Sequence, residues 1–185
     1  MGTHVCPWYI GYLLANPMRR LFQDPETILS PYIKSGMKVL EVGPGMGFFS
    51  LPMARLIGET GRIYCVDLQE KMLKSLQRRA SKVHLLDRIE ICLCTESSLQ
   101  IDKLVGVIDF ALAFAVVHEV PDQKRLFTEI IQSLKEGGLL LISEPQGHVT
   151  KEEFEKTLLI VQSKGMKLLD SPNIKRSHSA VLIKI

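Results

Sequence analysis

From Lys38 onward, short, nearly continuous apolar runs alternate with longer segments whose apolar residues recur every three or four positions. Val39–Val42, Arg62–Val66, Ile89–Leu93 and Val107–Phe114 are runs of the first kind, the last almost wholly apolar. Each predicts a strand buried on both faces, since a half-exposed strand alternates apolar with polar. Phe48–Ile57 and Gln69–Lys82 have helical spacing, the second placing Met72, Leu73, Leu76 and Ala80 on one face. Pro52 is tolerable only near the first turn of its helix. Asp122–Leu134 predicts a further helix, with Leu126, Ile130, Ile131 and Leu134 aligned. Gly137-Gly138 reads as its stop and leads to a strand at Leu139–Ser143. In the tail, a helix over Lys151–Lys164 precedes Met166–Asp170 and Ala180–Ile185, two segments placed to pair as a hairpin across Pro172-Asn173.

Repeated strand–helix alternation with apolar strands predicts a parallel sheet covered on both faces, a doubly wound α/β fold. Ahead of it lies a helical preface, about Pro7 to Tyr32, punctuated by Asn16-Pro17 and Asp24-Pro25. Asp24 is placed as a helix cap and Pro25 as the first helical residue. The expected division is an N-terminal cap or lid over residues 1–33 and one compact domain over 34–185.

The stretch richest in chemistry is Val39-Leu40-Glu41-Val42-Gly43-Pro44-Gly45-Met46-Gly47, where a strand ends, glycines turn the chain and a helix begins. Glycines permit positive φ and close approach of a ligand to the backbone, and in open α/β sheets ligands bind at the carboxyl ends of the strands. A tight turn without a ligand is the plain alternative. The spacing is G-x-G-x-G, whereas nicotinamide and flavin dinucleotide sites have G-x-G-x-x-G. Glu41, two residues before the first glycine, would repel a pyrophosphate but suits a ligand bearing an ammonium and a sulfonium. Such an attraction is on the order of a few kcal/mol when partly shielded from water. Asp67 ends the next strand, 20 residues after Gly47, the spacing at which an acid takes ribose hydroxyls. Asp67 also fits a helix cap. Leu68 beside it offers an apolar surface for one side of a base.

Glu41-Val-Gly-Pro-Gly-Met-Gly47, Val66-Asp67 and Leu134-Lys-Glu-Gly-Gly-Leu139 together resemble the motifs of class I S-adenosylmethionine-dependent methyltransferases, in the flavour of the small-molecule group that includes ubiquinone and menaquinone biosynthesis enzymes. The resemblance spans about Lys34 to Glu144. It implies a Rossmann-like sheet of seven strands with the last antiparallel, and S-adenosylmethionine as cofactor. It also implies that Glu41 and the loop of Gly43, Pro44, Gly45 and Gly47 hold the methionine part, Asp67 the ribose and Leu68 the adenine. After the third strand, where family members often have Gly-Asp, this chain has Cys94-Thr95-Glu96, so Thr95 or Glu96 is expected to take the adenine contact. Phe114, ending the fourth strand, is expected beside the cofactor through its backbone.

Methyl transfer from a sulfonium is an in-line displacement, and a base is needed only if the acceptor carries a proton at the reactive stage. His118, just beyond the fourth strand, is the candidate base; a histidine anchoring its loop by hydrogen bonds is the other reading. His4, Cys6, Trp8, Tyr9 and Tyr12 in the preface fit either a lid over the acceptor or plain packing. The function expected is methyl transfer to a small-molecule acceptor, set against a non-catalytic cofactor-binding module and a nicotinamide-dependent oxidoreductase.

Composition adds bounds. A chain of 185 residues fits one domain with a sizeable core. The net charge of +3, with basic residues scattered among acids, predicts no nucleic-acid partner and no membrane insertion. The four cysteines include a C-x-C at Cys92 and Cys94 with no second pair, so no metal is expected and a reducing compartment is. No Lys or Arg precedes the apolar Val5–Leu14 stretch, which disfavours a secretory signal and makes the cytoplasm the expected location.

Overall fold

The computed structural model describes residues 23–185. The expected lid, Val5 to Leu21, lies outside the described residues. In chain order the elements are α1 (Pro25–Leu29), β1 (Lys38–Val42), α2 (Ser50–Leu56), β2 (Arg62–Asp67), α3 (Glu70–Lys82), β3 (Ile89–Leu93), β4 (Ile108–Phe114), α4 (Gln123–Ser133), β5 (Leu134–Pro145), α5 (Lys151–Gln162), β6 (Met166–Asp170) and β7 (Ser177–Lys184). They build one seven-stranded sheet of order β3-β2-β1-β4-β5-β7-β6. Strands β1 to β5 run parallel, and β7 enters antiparallel between β5 and β6. The order reverses at β1 and β4, the switch point at whose carboxyl end doubly wound sheets bind ligands. The fold is the Rossmann-like methyltransferase arrangement that the motifs imply.

Alternation along each buried strand feeds two cores, one per sheet face. Leu40, Val42, Ala111, Ala113, Leu140 and Ile142 face Leu126, Phe127 and Ile130 of α4 and Phe154 and Val161 of α5. Val39, Ile63, Phe110, Leu112 and Leu141 face Leu29 of α1, Met53 of α2 and Leu76 of α3. Helix α1 begins as its sequence dictates: Asp24 Oδ2 accepts the Thr27 N–H at 3.2 Å and Pro25 occupies the first turn. Leu29 and Ile33 are then buried in the second core, so this end of the preface packs on the domain.

One boundary departs from expectation. Helix α4 ends at Ser133, and Leu134 is already extended, at φ −70° and ψ 141°, paired with Ile108 on β4. The register then slips between Ile108 and Phe110, and Gly137 adopts φ +75° inside the strand. The two glycines therefore shape an irregularity in β5 and do not stop the helix. Joining the sheet buries Leu134 fully and lets Lys135 Nζ reach Asp109 at 2.5 Å. Strand β7 likewise starts at Ser177, three residues before its apolar run, because Ser177–Ser179 complete the pairing with Ser143–Pro145. Among the described residues no helix is long and apolar enough to cross a membrane.

Candidate functional site

At the end of β1 the chain makes three close turns, with φ +70° at Gly43, +54° at Gly45 and +88° at Gly47. A β-carbon on Gly43 would stand 2.7 Å from Val116, and one on Gly47 2.5 Å from Leu76. Those two glycines let the loop lie against the β4 connection and α3. Gly45 differs, since a β-carbon there would meet nothing within 4 Å. Its open side belongs to a cavity of about 410 Å³, bordered by Val42 and Val66 at the strand ends, by Gly43 and Gly45, and by Asp67 and Leu68 after β2. Thr95 and Glu96 close a second side, and Val116, Glu119 and the first turns of α4 a third.

Asp67 ties this arrangement together. Its Oδ2 accepts the Gly45 N–H at 3.3 Å and its Oδ1 the Gln69 N–H at 2.8 Å. Burial raises its pKa, while the hydrogen bonds from Gln69 and Gly45 oppose the shift. The two readings of Asp67 are compatible here, because one carboxylate holds the loop, receives the N–H leading into α3 and still lines the cavity. Glu96, Glu119, Asp122 and Glu129 also line it, against one base, Arg125, whose Nε lies 3.1 Å from Glu129. Most of the lining is apolar, and acids outnumber bases among its charged side chains.

The structure does not bring Glu41 to the cavity. Successive strand residues point to opposite faces, so Val42 faces the cavity and Glu41 the other side of the sheet. There its carboxyl, 3 % exposed, accepts the Ser50 hydroxyl at 2.5 Å and the Cys65 thiol at 3.7 Å. Burial pushes its pKa up to about 7. Pro44 and Gly47 are buried within the loop, and Arg79 Nη1 donates to the Met46 carbonyl at 2.8 Å to hold it. The Phe114 ring packs into the core, its centroid 4.3 Å from that of Phe49. The next residues, Ala115 and Val116, form the wall. Ala115 turns the chain at φ +55°, a left-handed conformation that costs a β-carbon-bearing residue about 1 kcal/mol or more.

The sequence from 33 to 175 matches the family described as "Methyltransferase domain". The chain belongs to that family. Among curated relatives, the methyltransferase domain is 26% identical over 133 residues to the "Ubiquinone/menaquinone biosynthesis C-methyltransferase UbiE" of Shewanella halifaxensis, covering 70% of this chain and 52% of that protein. The chain thus spans about half the length of the curated relatives it matches. Among solved structures, a SAM-dependent methyltransferase from Aquifex aeolicus superposes with a TM-score of 0.86 at 23% identity, over 98% of this chain and 100% of that one. A second, described as a putative S-adenosyl-L-methionine-dependent methyltransferase from Methanococcus maripaludis, gives 0.77 at 16% identity, over 100% and 97%.

In this methyltransferase domain His118 stands at the edge of the cavity and outside its lining, between Glu119 and a residue that sequence reasoning missed. Glu144, near the end of β5, is buried, and its Oε2 lies 2.5 Å from His118 Nδ1. His148, from the turn after β5, stacks on the His118 ring at 5.3 Å. The available signal was an acid at the carboxyl end of an otherwise apolar strand. Recognising it required knowing that β5 lies beside β4.

Proposed function

We propose that this domain binds S-adenosylmethionine in the cavity at the carboxyl ends of β1, β2 and β4, and transfers its methyl group to a small-molecule acceptor. The observation that carries the reading is the convergence of the Gly43–Gly47 loop, Asp67 and an acid-lined cavity at the switch point. Each Asp67 oxygen uses one lone pair on a backbone N–H and keeps another for a ribose hydroxyl. Leu68, Thr95 and Glu96 all line the cavity and would frame the adenine. The open side of Gly45 admits the methionine part. An acidic wall favours an ammonium and a sulfonium over the pyrophosphate of a nicotinamide dinucleotide. In this reading Glu41 supports the loop from beneath through Ser50, and Phe114 contributes through the chain it leads into.

When bound, the cofactor supplies an electrophilic methyl carbon on a cationic sulfur. The domain's own tasks are to hold an acceptor in line with that carbon, exclude water and, where the acceptor carries a proton, remove it. His118, at the edge of the cavity, would take the last task. A small-molecule acceptor is favoured over nucleic acid because the cavity lining is mostly apolar with more acids than bases, and the chain carries only +3 overall. The UbiE relatives are named for ubiquinone and menaquinone biosynthesis, which supports the same choice. Incubation with methyl-labelled S-adenosylmethionine and a fractionated cell extract tests it. Label is expected in the organic-soluble small-molecule fraction. Label confined to RNA or protein would contradict the proposal.

A further inference from the structure

Glu144 stands where the sheet and helices α4 and α5 would ordinarily place an apolar residue, and it is 2 % exposed. Four donors meet its two oxygens. Oε1 accepts the backbone N–H groups of Val116 at 3.0 Å and Val117 at 2.9 Å. Oε2 accepts the His118 N–H at 3.3 Å and faces His118 Nδ1 at 2.5 Å. Three backbone N–H groups already donate to the two oxygens, an arrangement that suits a carboxylate which only accepts and an imidazole that supplies the proton between Nδ1 and Oε2. Nε2 is then the nitrogen left to gain or lose a proton.

We propose that Glu144 is a positioning residue: it fixes His118 as the Nδ1–H tautomer and so presents Nε2 as the proton acceptor of the transfer reaction. The proposal rests on the methyltransferase reading above, with His118 beside the acceptor. The placement of Nε2 supports it. Nε2 lies 4.0 Å from a Glu119 carboxylate oxygen, and Glu119 lines the cavity. The stacked His148 ring restrains rotation of the imidazole from the other side. The titratable groups around His118 are thus Glu144 from β5, Glu119 from the β4–α4 connection and His148 from the β5–α5 connection. His178 on β7 stands opposite Glu144 in the strand register. The hydrogen bond to Glu144 raises the His118 pKa above the ordinary imidazole value, with the charges of Glu144 and Glu119 adding and burial opposing.

The same carboxylate reaches the cofactor side. By gripping Val116 N–H it sets the Val116 side chain against Gly43, where even a β-carbon would not fit. One buried acid therefore registers the glycine loop, the cavity wall and the candidate base to one another. The chemistry this serves is an acceptor whose reactive atom bears a weakly acidic proton. That proton passes to Nε2, the acceptor's freed electron pair forms the bond to the methyl carbon, and the carbon–sulfur pair departs on sulfur. Glu144 stabilises the imidazolium so formed without itself being protonated, the role an oriented carboxylate has beside a catalytic histidine.

Nitrogen-15 NMR of the full chain with labelled histidine tests this without an acceptor, with His118→Gln assigning the resonance. The expected result is an Nδ1–H tautomer for His118 and a pKa above about 6.5. In Glu144→Gln the tautomer preference should be lost and the His118 pKa should fall by about one unit or more. An Nε2–H tautomer in the wild type overturns the proposal even if every variant fails to fold. An unchanged His118 pKa in a folded Glu144→Gln protein overturns it as well. Calorimetry with S-adenosylhomocysteine on the same samples separates the two readings. A wild type that binds but shows Nε2–H contradicts only the role of Glu144. A wild type that shows Nδ1–H but does not bind contradicts the cofactor site on which that role rests.

Discussion

Glu41 illustrates how one position along a strand divides two kinds of work. Its neighbour Val42 borders the cavity, while its own carboxyl is sealed between Ser50 and Cys65 on the other side of the sheet. Charge at such a site is expensive, and burial raises the pKa from 4.5 to about 7. Between those values the unfolded chain has lost the proton that the folded chain still holds, so stability falls as pH rises through that window. A shift of this size corresponds to at most about 3–4 kcal/mol. Glu41→Gln removes the titration. In urea denaturation from pH 4.5 to pH 8, the wild type should lose stability relative to Glu41→Gln, most of the difference appearing below pH 7. Parallel stability curves would show that Glu41 ionises freely where it stands. The sequence made the acid at the strand end visible and hid its direction, although the two-residue period of a strand contained that information.

At the scale of elements, the loop between β1 and α2 separates packing from binding. Gly47→Ala forces a β-carbon to within 2.5 Å of Leu76 at φ +88°. The combined strain and overpacking should cost about 2–4 kcal/mol and lower Tm by several degrees or more. Gly45→Ala meets open space at φ +54°, so it should cost only about 1 kcal/mol but place a methyl group where ligand is expected. Thermal melts and S-adenosylhomocysteine titrations of both variants check this. Gly45→Ala should lose about tenfold in affinity while remaining folded, and equal melting losses in the two would contradict the distinction. Most elements were legible because parallel strands buried on both faces must be nearly continuous in apolar residues, as β4 is, and because Asp24-Pro25 and Asp122 mark helix starts. The start of β5 was not. Leu134-Lys135-Glu136-Gly137-Gly138 has the local signature of a helix end, and only pairing with Ile108 on a distant segment makes it strand.

Across the whole molecule, the sheet order decides what the motifs become. Placing β1 between β2 and β4 brings Gly45, Asp67 and Val116 around one cavity although they span 72 positions of sequence. The first two were readable from local spacing. Glu144 and its hold on His118 were not, since they depend on β5 lying against β4 and on the left-handed turn at Ala115. The central claim is that this convergence is a site for S-adenosylmethionine. Isothermal calorimetry with S-adenosylmethionine and NADH, on the wild type and Asp67→Ala, tests it most directly. Saturable one-to-one binding of S-adenosylmethionine and no heat with NADH are expected. In Asp67→Ala the affinity should be about tenfold or more weaker, the loss of a charge-assisted bond of roughly 1.5–3 kcal/mol. Saturable binding of NADH with no response to S-adenosylmethionine would contradict it.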